Sequence, residues 1–215
     1  MKSHGFLQTL RALYAGQSLT RIRMNYALAK HTLRGRVLDV GGGRNPDYFA
    51  YLRRAGNVSV EAVDHSLTGI DFEKDLLPYG EHTFDTVLAC NVLEHVYNHQ
   101  FLLREIHRVL MPRGTLIGFV PFWTGYHPDP HDFFRYTDEA LTRMLTEAGF
   151  KNVAVERIGG GPLVANFNTT VLSVPRIFRP VLFMIYATAD RMFVSLRPQS
   201  VLRNPLGFLF TATCS

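Results

Sequence analysis

The sequence predicts an α/β protein built on a doubly wound parallel sheet, and three observations predict it. An apolar run from Val37 carries Asp39 near its end and then drops into Gly41, Gly42 and Gly43. A second run, Val58 to Val63, alternates into Asp64, about 20 residues beyond the glycines. From there, strand-like and helix-like periods alternate as far as Ile158, the pattern of a parallel sheet with ligands at the carboxyl ends of its strands.

The elements come in order along the chain. Phe6, Leu7, Leu10, Leu13 and Tyr14, then Ile22, Tyr26 and Leu28, have helical apolar spacing. The strand through Val40 must end in bare backbone, because a Cβ in the glycine loop would keep a ligand away and the turn favours φ > 0. Asn45 is placed to cap a helix with Pro46 at its first position and Asp47 in its first turn. A dinucleotide fingerprint starting at Gly41 would need a glycine where Pro46 stands, which argues for another nucleotide ligand. Phe84 to Cys90 reads as a buried strand, and Leu102, Leu103, Ile106, Val109 and Leu110 as one helix face. A Pro112-Arg113-Gly114 turn precedes the strand Thr115 to Val120, and Thr137 starts a helix over Ala140 to Ala148 that stops at Gly149. Val153 to Ile158 is a further strand, and Leu206 to Thr213 a closing one.

The ordered set LDVGGG, VEAVDHS, DFEKDLLPY, TFDTVLACNVLEHV, REIHRVLMPRGTL and HPDPHDFFRYT resembles the class I S-adenosylmethionine-dependent methyltransferases, of the type 11-like group with an HDFxRYT segment. The resemblance covers roughly residues 35 to 158. It implies a Rossmann-like, seven-stranded sheet with S-adenosylmethionine as cofactor. It places Asp39, Gly41 and Gly43 at the methionine part, Asp64 on the ribose, Asp71 and Phe72 at the adenine with Asp75 as second choice, and Asn91 near the methionine amine. The group suggests O-methylation of a hydroxyl on a sugar, glycan or other small molecule, in carbohydrate or secondary-metabolite biosynthesis. A non-catalytic partner subunit on the same fold, or another transferase using the same cofactor scaffold, is the alternative. Two departures stand out: Asn45-Pro46 replaces the third loop glycine, and Arg113 replaces a glycine before the fifth strand.

Methyl transfer is an in-line displacement, so a hydroxyl acceptor must be aligned and lose its proton. His127 and His131, on the segment after the fifth strand, are the candidate catalytic bases, because a neutral imidazole is available near pH 7. His95 comes next, and Asp129 or Asp132 is placed to orient an imidazole. His131, Asp132 and Arg135 also fit a network that merely fixes the loop, His95 a backbone-satisfying role, and His127 is the freest of the three histidines. Phe122 and Trp123 read as wall residues. No metal ligands are assigned, since Cys90 and Cys214 have no metal spacing.

One methyltransferase domain is expected over 1–215: an N-terminal helical lid (1–34), a cofactor-binding core (35–158), a helical insertion (159–205) and a last strand (206–215). The insertion is far longer than an ordinary loop. Its apolar run, Val181 to Ala187, is too short to span a bilayer. The formal charge of +5 is uneven. The first 36 residues carry about +7 and the chain after Thr169 about +4, leaving the middle at about −6. Such ends suit an anionic surface or substrate, or are simply solvated helix faces. The chain lacks the Asn/Asp-Pro-Pro-aromatic segment of amino-directed nucleic-acid methyltransferases after Cys90, so no nucleic acid is expected. A peripheral membrane contact and a homo-oligomeric contact both stay open as uses of the insertion. Cysteine usage and the lack of a leader pattern point to the cytoplasm.

Overall fold

The structure is a computed structural model that describes residues 3–44 and 46–215. Two compact units are present: Met1–Tyr26, Phe122–Gly125 and Arg157–Gly207 form one, and Ala27–Pro121, Tyr126–Glu156 and Phe208–Ser215 the other.

The sheet has strands β1 (Thr32–Val40), β2 (Arg53–Val63), β3 (Phe84–Cys90), β4 (Leu110–Pro121), β5 (Lys151–Gly159) and β6 (Pro205–Thr213), in the order β2-β1-β3-β4-β6-β5. The first four are parallel neighbours. Cys214 N–H donates to the Gly114 carbonyl while Phe122 N–H donates to that of Leu206, so β6 runs antiparallel to β4 and the sheet is mixed. Val37, Leu38, Val40, Val87, Leu88, Leu116, Ile117 and Phe119 are buried, as near-continuous apolar runs in a parallel sheet should be. Gly118 is required by packing: a Cβ there would stand 2.1 Å from the Phe210 ring.

Among the described residues the sheet has six strands, which corrects the expected seven. The missing one would lie between Asp64 and Phe84, where the chain instead makes turns. Its backbone is claimed by side chains of the helix α4 (His99–Val109): Leu77 N–H donates to Glu105, while Arg108 donates to the carbonyls of Leu77 and Tyr79. With those groups satisfied, and Pro78 and Gly80 in the segment, no ladder forms beside β2. β2 therefore ends the sheet as an edge strand carrying Arg53, Arg54 and Glu61, charges that discourage pairing with another chain.

The other departures are local. The cap expected at Asn45 lies outside the described residues, and after Pro46 the chain makes only a single 3-10 turn, Asp47–Ala50. The Pro112-Arg113-Gly114 turn is a kink within β4, with Arg113 at φ +64°. Helix α5 (Asp138–Glu147) begins where the sequence places it, with the Thr137 side chain accepting from Ala140 N–H and Gly149 at φ +99° beyond its end.

The helical unit gathers α1 (Ser3–Tyr14), α6 (Pro162–Thr170), α7 (Arg179–Leu196) and most of α2 (Leu19–Leu28). Leu13, Leu19 and Ile22 pack with Val164, Phe167, Val171, Phe183 and Leu206, so the amino-terminal helices and the insertion share one apolar core. Buried Asp190 of α7 accepts from the N–H groups of Gly161, Leu163 and Val164, neutralising the amino end of α6. A Cβ on Gly161 would collide with that carboxylate at 2.5 Å, which explains the glycine before Pro162.

Candidate functional site

Strand register sets the nucleotide end. Val40 pairs with Val63 on one side and Ala89 on the other, and Cys90 pairs with Phe119. The carboxyl ends of β2, β1 and β3 are therefore level, with Asp64, Gly41 and Asn91 emerging side by side. Gly41 N–H still bonds the Val63 carbonyl at 2.8 Å, holding the glycine loop against the end of β2. Gly41 (φ +75°) and Gly43 (φ +66°) both occupy the left-handed region, the conformation expected of this turn. The absent Cβ of Gly41 would lie 2.7 Å from Val92 and 3.9 Å from Phe72, so the loop, the residue after Asn91 and the expected adenine-side ring converge on one spot.

The carboxylates at this end have distinct tasks. Asp39 is fully buried and accepts from the Tyr48 hydroxyl at 2.5 Å, and a Cβ on Gly42 would strike both residues. Asp39 thus braces the loop from beneath. Asp64 caps the single turn α3 (His65–Thr68), its Oδ1 accepting from Ser66 N–H and Oγ. Asp71 accepts from Glu73 N–H and pairs with Lys74 at 3.0 Å, contacts that hold its carboxyl below the usual range, and its own N–H donates to Asp75. Glu73 then accepts from Tyr97 and Asn98 N–H, tying the segment to the chain after β3. Asn91, at φ +55°, makes the sharp exit from β3 that few residues other than glycine tolerate.

The second cluster is built by a loop folding back. Phe133 and Phe134 N–H both donate to the Glu94 carbonyl, and the buried Tyr136 hydroxyl donates to that of Leu93 at 3.0 Å. These bonds lay the 126–136 segment over Leu93–His95. His95 and His127 meet edge to face with ring centres 5.2 Å apart. His95 Nδ1 bonds the His131 carbonyl, and His127 Nδ1 lies 3.6 Å from Asp132. Asp132 takes a two-pronged bond from Arg135 at 2.6 and 2.7 Å, which drops its carboxyl to about 2 against the cost of burial. His127 is thus held by a fixed anion rather than being the freest histidine, as the sequence suggested. The His131 ring is exposed and lies against Phe133. The Asp132–Arg135 pair does fix the loop: Asp132 accepts from the His127 backbone N–H at 3.0 Å, and an Arg135 nitrogen lies 3.4 Å from His127 Nδ1. Of the two candidate orienting carboxylates, Asp132 is the one that stands beside the His127 ring.

Sequence reasoning missed Glu94. Its side chain is fully buried, neither carboxylate oxygen has a hydrogen-bond partner, and burial raises its pKa to about 8. Its Oε1 stands 3.7 Å from His95 Nε2. An acidic residue next to His95 and between apolar neighbours in VLEHV was the available signal.

Strand ends that present a glycine turn, an acidic residue and an aromatic together are those of an α/β protein with a Rossmann-like sheet. Comparison with known proteins makes the class narrower. A family model described as a methyltransferase domain matches residues 12–155, and the chain belongs to that family. It is 29% identical over 144 residues to 2-methyl-6-phytyl-1,4-hydroquinone methyltransferase 1, chloroplastic, of Oryza sativa subsp. japonica, a match covering 58% of this chain and 43% of that protein. The chain thus spans less than half of this curated relative. Among solved structures, the cyclase SpnF superposes with a TM-score of 0.53 at 21% identity, over 89% of this chain and 79% of the other. Phosphoethanolamine N-methyltransferase 2 of Haemonchus contortus, in complex with S-adenosyl-L-methionine, gives 0.52 at 14% identity over 89% and 52%. Both likenesses establish the fold.

Proposed function

We propose that this chain is an enzyme, an S-adenosylmethionine-dependent methyltransferase acting on a hydroxyl of a small molecule. The observation that carries the reading is the convergence of Gly41, Phe72 and Val92 beside Asp64 at level strand ends, in a chain whose family is a methyltransferase domain. Gly41 and Gly43 leave room for the methionine part over a loop braced by Asp39, Asp64 takes the ribose hydroxyls, Asp71 and Phe72 flank the adenine, and Asn91 offers backbone to the methionine amine. A loop imidazole, His127 or His131, removes the acceptor's proton as the oxygen attacks the methyl carbon and the sulfonium leaves as a thioether. The rice relative is named for a hydroquinone with a phytyl chain, which favours a hydroxylated acceptor with an apolar part over a free sugar. Calorimetric titration with S-adenosylhomocysteine, then mass detection of a methyl gain across hydroxylated acceptors, tests the reading. No binding of the thioether would sink it in favour of a non-catalytic partner subunit, while binding without methyl gain on any acceptor would favour another transferase.

A peripheral surface contact is supported by the helical unit. Ile177, Phe178, Val181, Ile185, Met192 and Leu196 are exposed there together with Arg176, Arg191 and Arg197. Apolar side chains among cations suit an anionic lipid interface or an amphipathic acceptor held at one. No described helix is long and apolar enough to cross a membrane. Flotation with anionic vesicles, weakened by salt, is the expected result; a sedimenting dimer without flotation would point to a homo-oligomer contact instead.

A further inference from the structure

We propose that Glu94, His95 and His127 form a binding site for one divalent transition cation. Each offers a donor atom, and the three donors lie within 4.8 Å of one another. Donors bound at about 2.1 Å to a shared ion sit roughly 3–4 Å apart, so closure needs only small side-chain movements. Two imidazoles and one carboxylate suit zinc, iron, manganese or cobalt better than calcium or magnesium, which favour all-oxygen shells. Three ligands also leave coordination positions open.

Two independent features support the site. The first is the Glu94 carboxylate, fully buried with both oxygens lacking hydrogen-bond partners, an arrangement whose cost a bound cation removes. The second is the setting of the imidazoles. His95 Nδ1 faces the His131 carbonyl, so it carries the proton and Nε2, the nitrogen beside Glu94, keeps its lone pair. The His127 backbone N–H donates to Asp132, itself fixed by Arg135, which holds the residue in place beside His95. A ligand's second nitrogen is commonly set by just such a carbonyl partner as His95 has.

The ion deepens the methyl-transfer reading and, for its role though not for its binding, rests on it. Held by Glu94, His95 and His127, such an ion would supply Lewis acidity that lowers the pKa of an acceptor hydroxyl beside it, and His131 or solvent would take the proton. His127 then serves as ligand, and of the two loop histidines only His131 is left as base.

The test is titration of the chelator-treated full chain with Co²⁺, read by visible absorption and calorimetry, and with Zn²⁺ in competition. One-to-one binding is expected, weakened at least about tenfold in Glu94→Gln and in His127→Ala and unchanged in His131→Ala. His127 is exposed, so His127→Ala keeps the test informative if Glu94→Gln fails to fold. Absence of one-to-one binding by the wild type, or equal affinity in the folded Glu94→Gln and His127→Ala variants, overturns the site. S-adenosylhomocysteine titrations on the same samples separate the two ideas: thioether binding without cobalt binding refutes the ion alone, and cobalt binding without thioether binding refutes the cofactor reading alone.

Discussion

The nucleotide end of the sheet and the histidine cluster are built in opposite ways. Gly41, Asp64 and Asn91 stand together because parallel pairing makes three strand ends level, so backbone hydrogen bonds do the positioning. Glu94, His95 and His127 stand together because a loop folds back and is pinned by Phe133, Phe134 and Tyr136. One end depends on the sheet and the other on a few loop anchors. Substitutions at the first should therefore change cofactor affinity, and those at the second should change turnover.

The largest effect is expected at the histidine cluster. His127→Ala should lower turnover by about 10²–10⁴ with S-adenosylhomocysteine affinity unchanged. Full turnover in this variant and in His131→Ala would move proton removal away from the loop and erase the contrast. At the other end, Asp64→Ala should weaken cofactor binding by about 1–3 kcal/mol, the scale of losing hydrogen bonds to a charged group. An unchanged dissociation constant would remove the ribose assignment.

A smaller loss is expected from Tyr136→Phe, which leaves the Leu93 carbonyl without its buried donor. Denaturant unfolding should show about 1 kcal/mol less stability, with a disproportionate drop in turnover because the loop loses an anchor. Equal losses of turnover and cofactor affinity would mean that the two ends are not separable. The smallest effect concerns the segment that stands where a seventh strand was expected. Hydrogen bonds from Arg108, aided by Leu77 N–H and opposed by burial, hold the Glu105 carboxyl below its ordinary value. A carboxylate depressed on folding stabilises above its unfolded pKa, near 4.3, and loses that contribution as pH falls through the folded value. Glu105→Gln should therefore melt below the wild type at pH 7, and the gap should narrow in acid. A gap independent of pH would show that the carboxylate's charge is not what holds Leu77.

The segments of the sheet were legible because their signals are local. Val37 to Val40 and Phe84 to Cys90 are apolar runs that only a buried strand absorbs, and Thr137 and Gly149 mark the ends of α5 by cap chemistry. The glycines at 41 and 43 and the acid at 64 were legible for the same reason, since backbone conformation and spacing along the chain fix them. The strand count was not, because Glu105 and Arg108 take up backbone groups of Leu77 and Tyr79 across roughly thirty positions of sequence.

What the sequence determined by itself is thus the order of strands and helices, the glycine turn and the acids at its flank, each set by short-range sterics and periodicity. Only tertiary structure decided that α1 packs on the insertion through Leu13, Phe167 and Phe183, that Asp132 stands beside His127, and that the Glu94 carboxylate lies buried without a hydrogen-bond partner beside His95. Those facts arise from long-range burial. Desolvation of a carboxylate and the meeting of two imidazoles depend on which distant segments exclude water from the same volume, and no window of the chain contains that information.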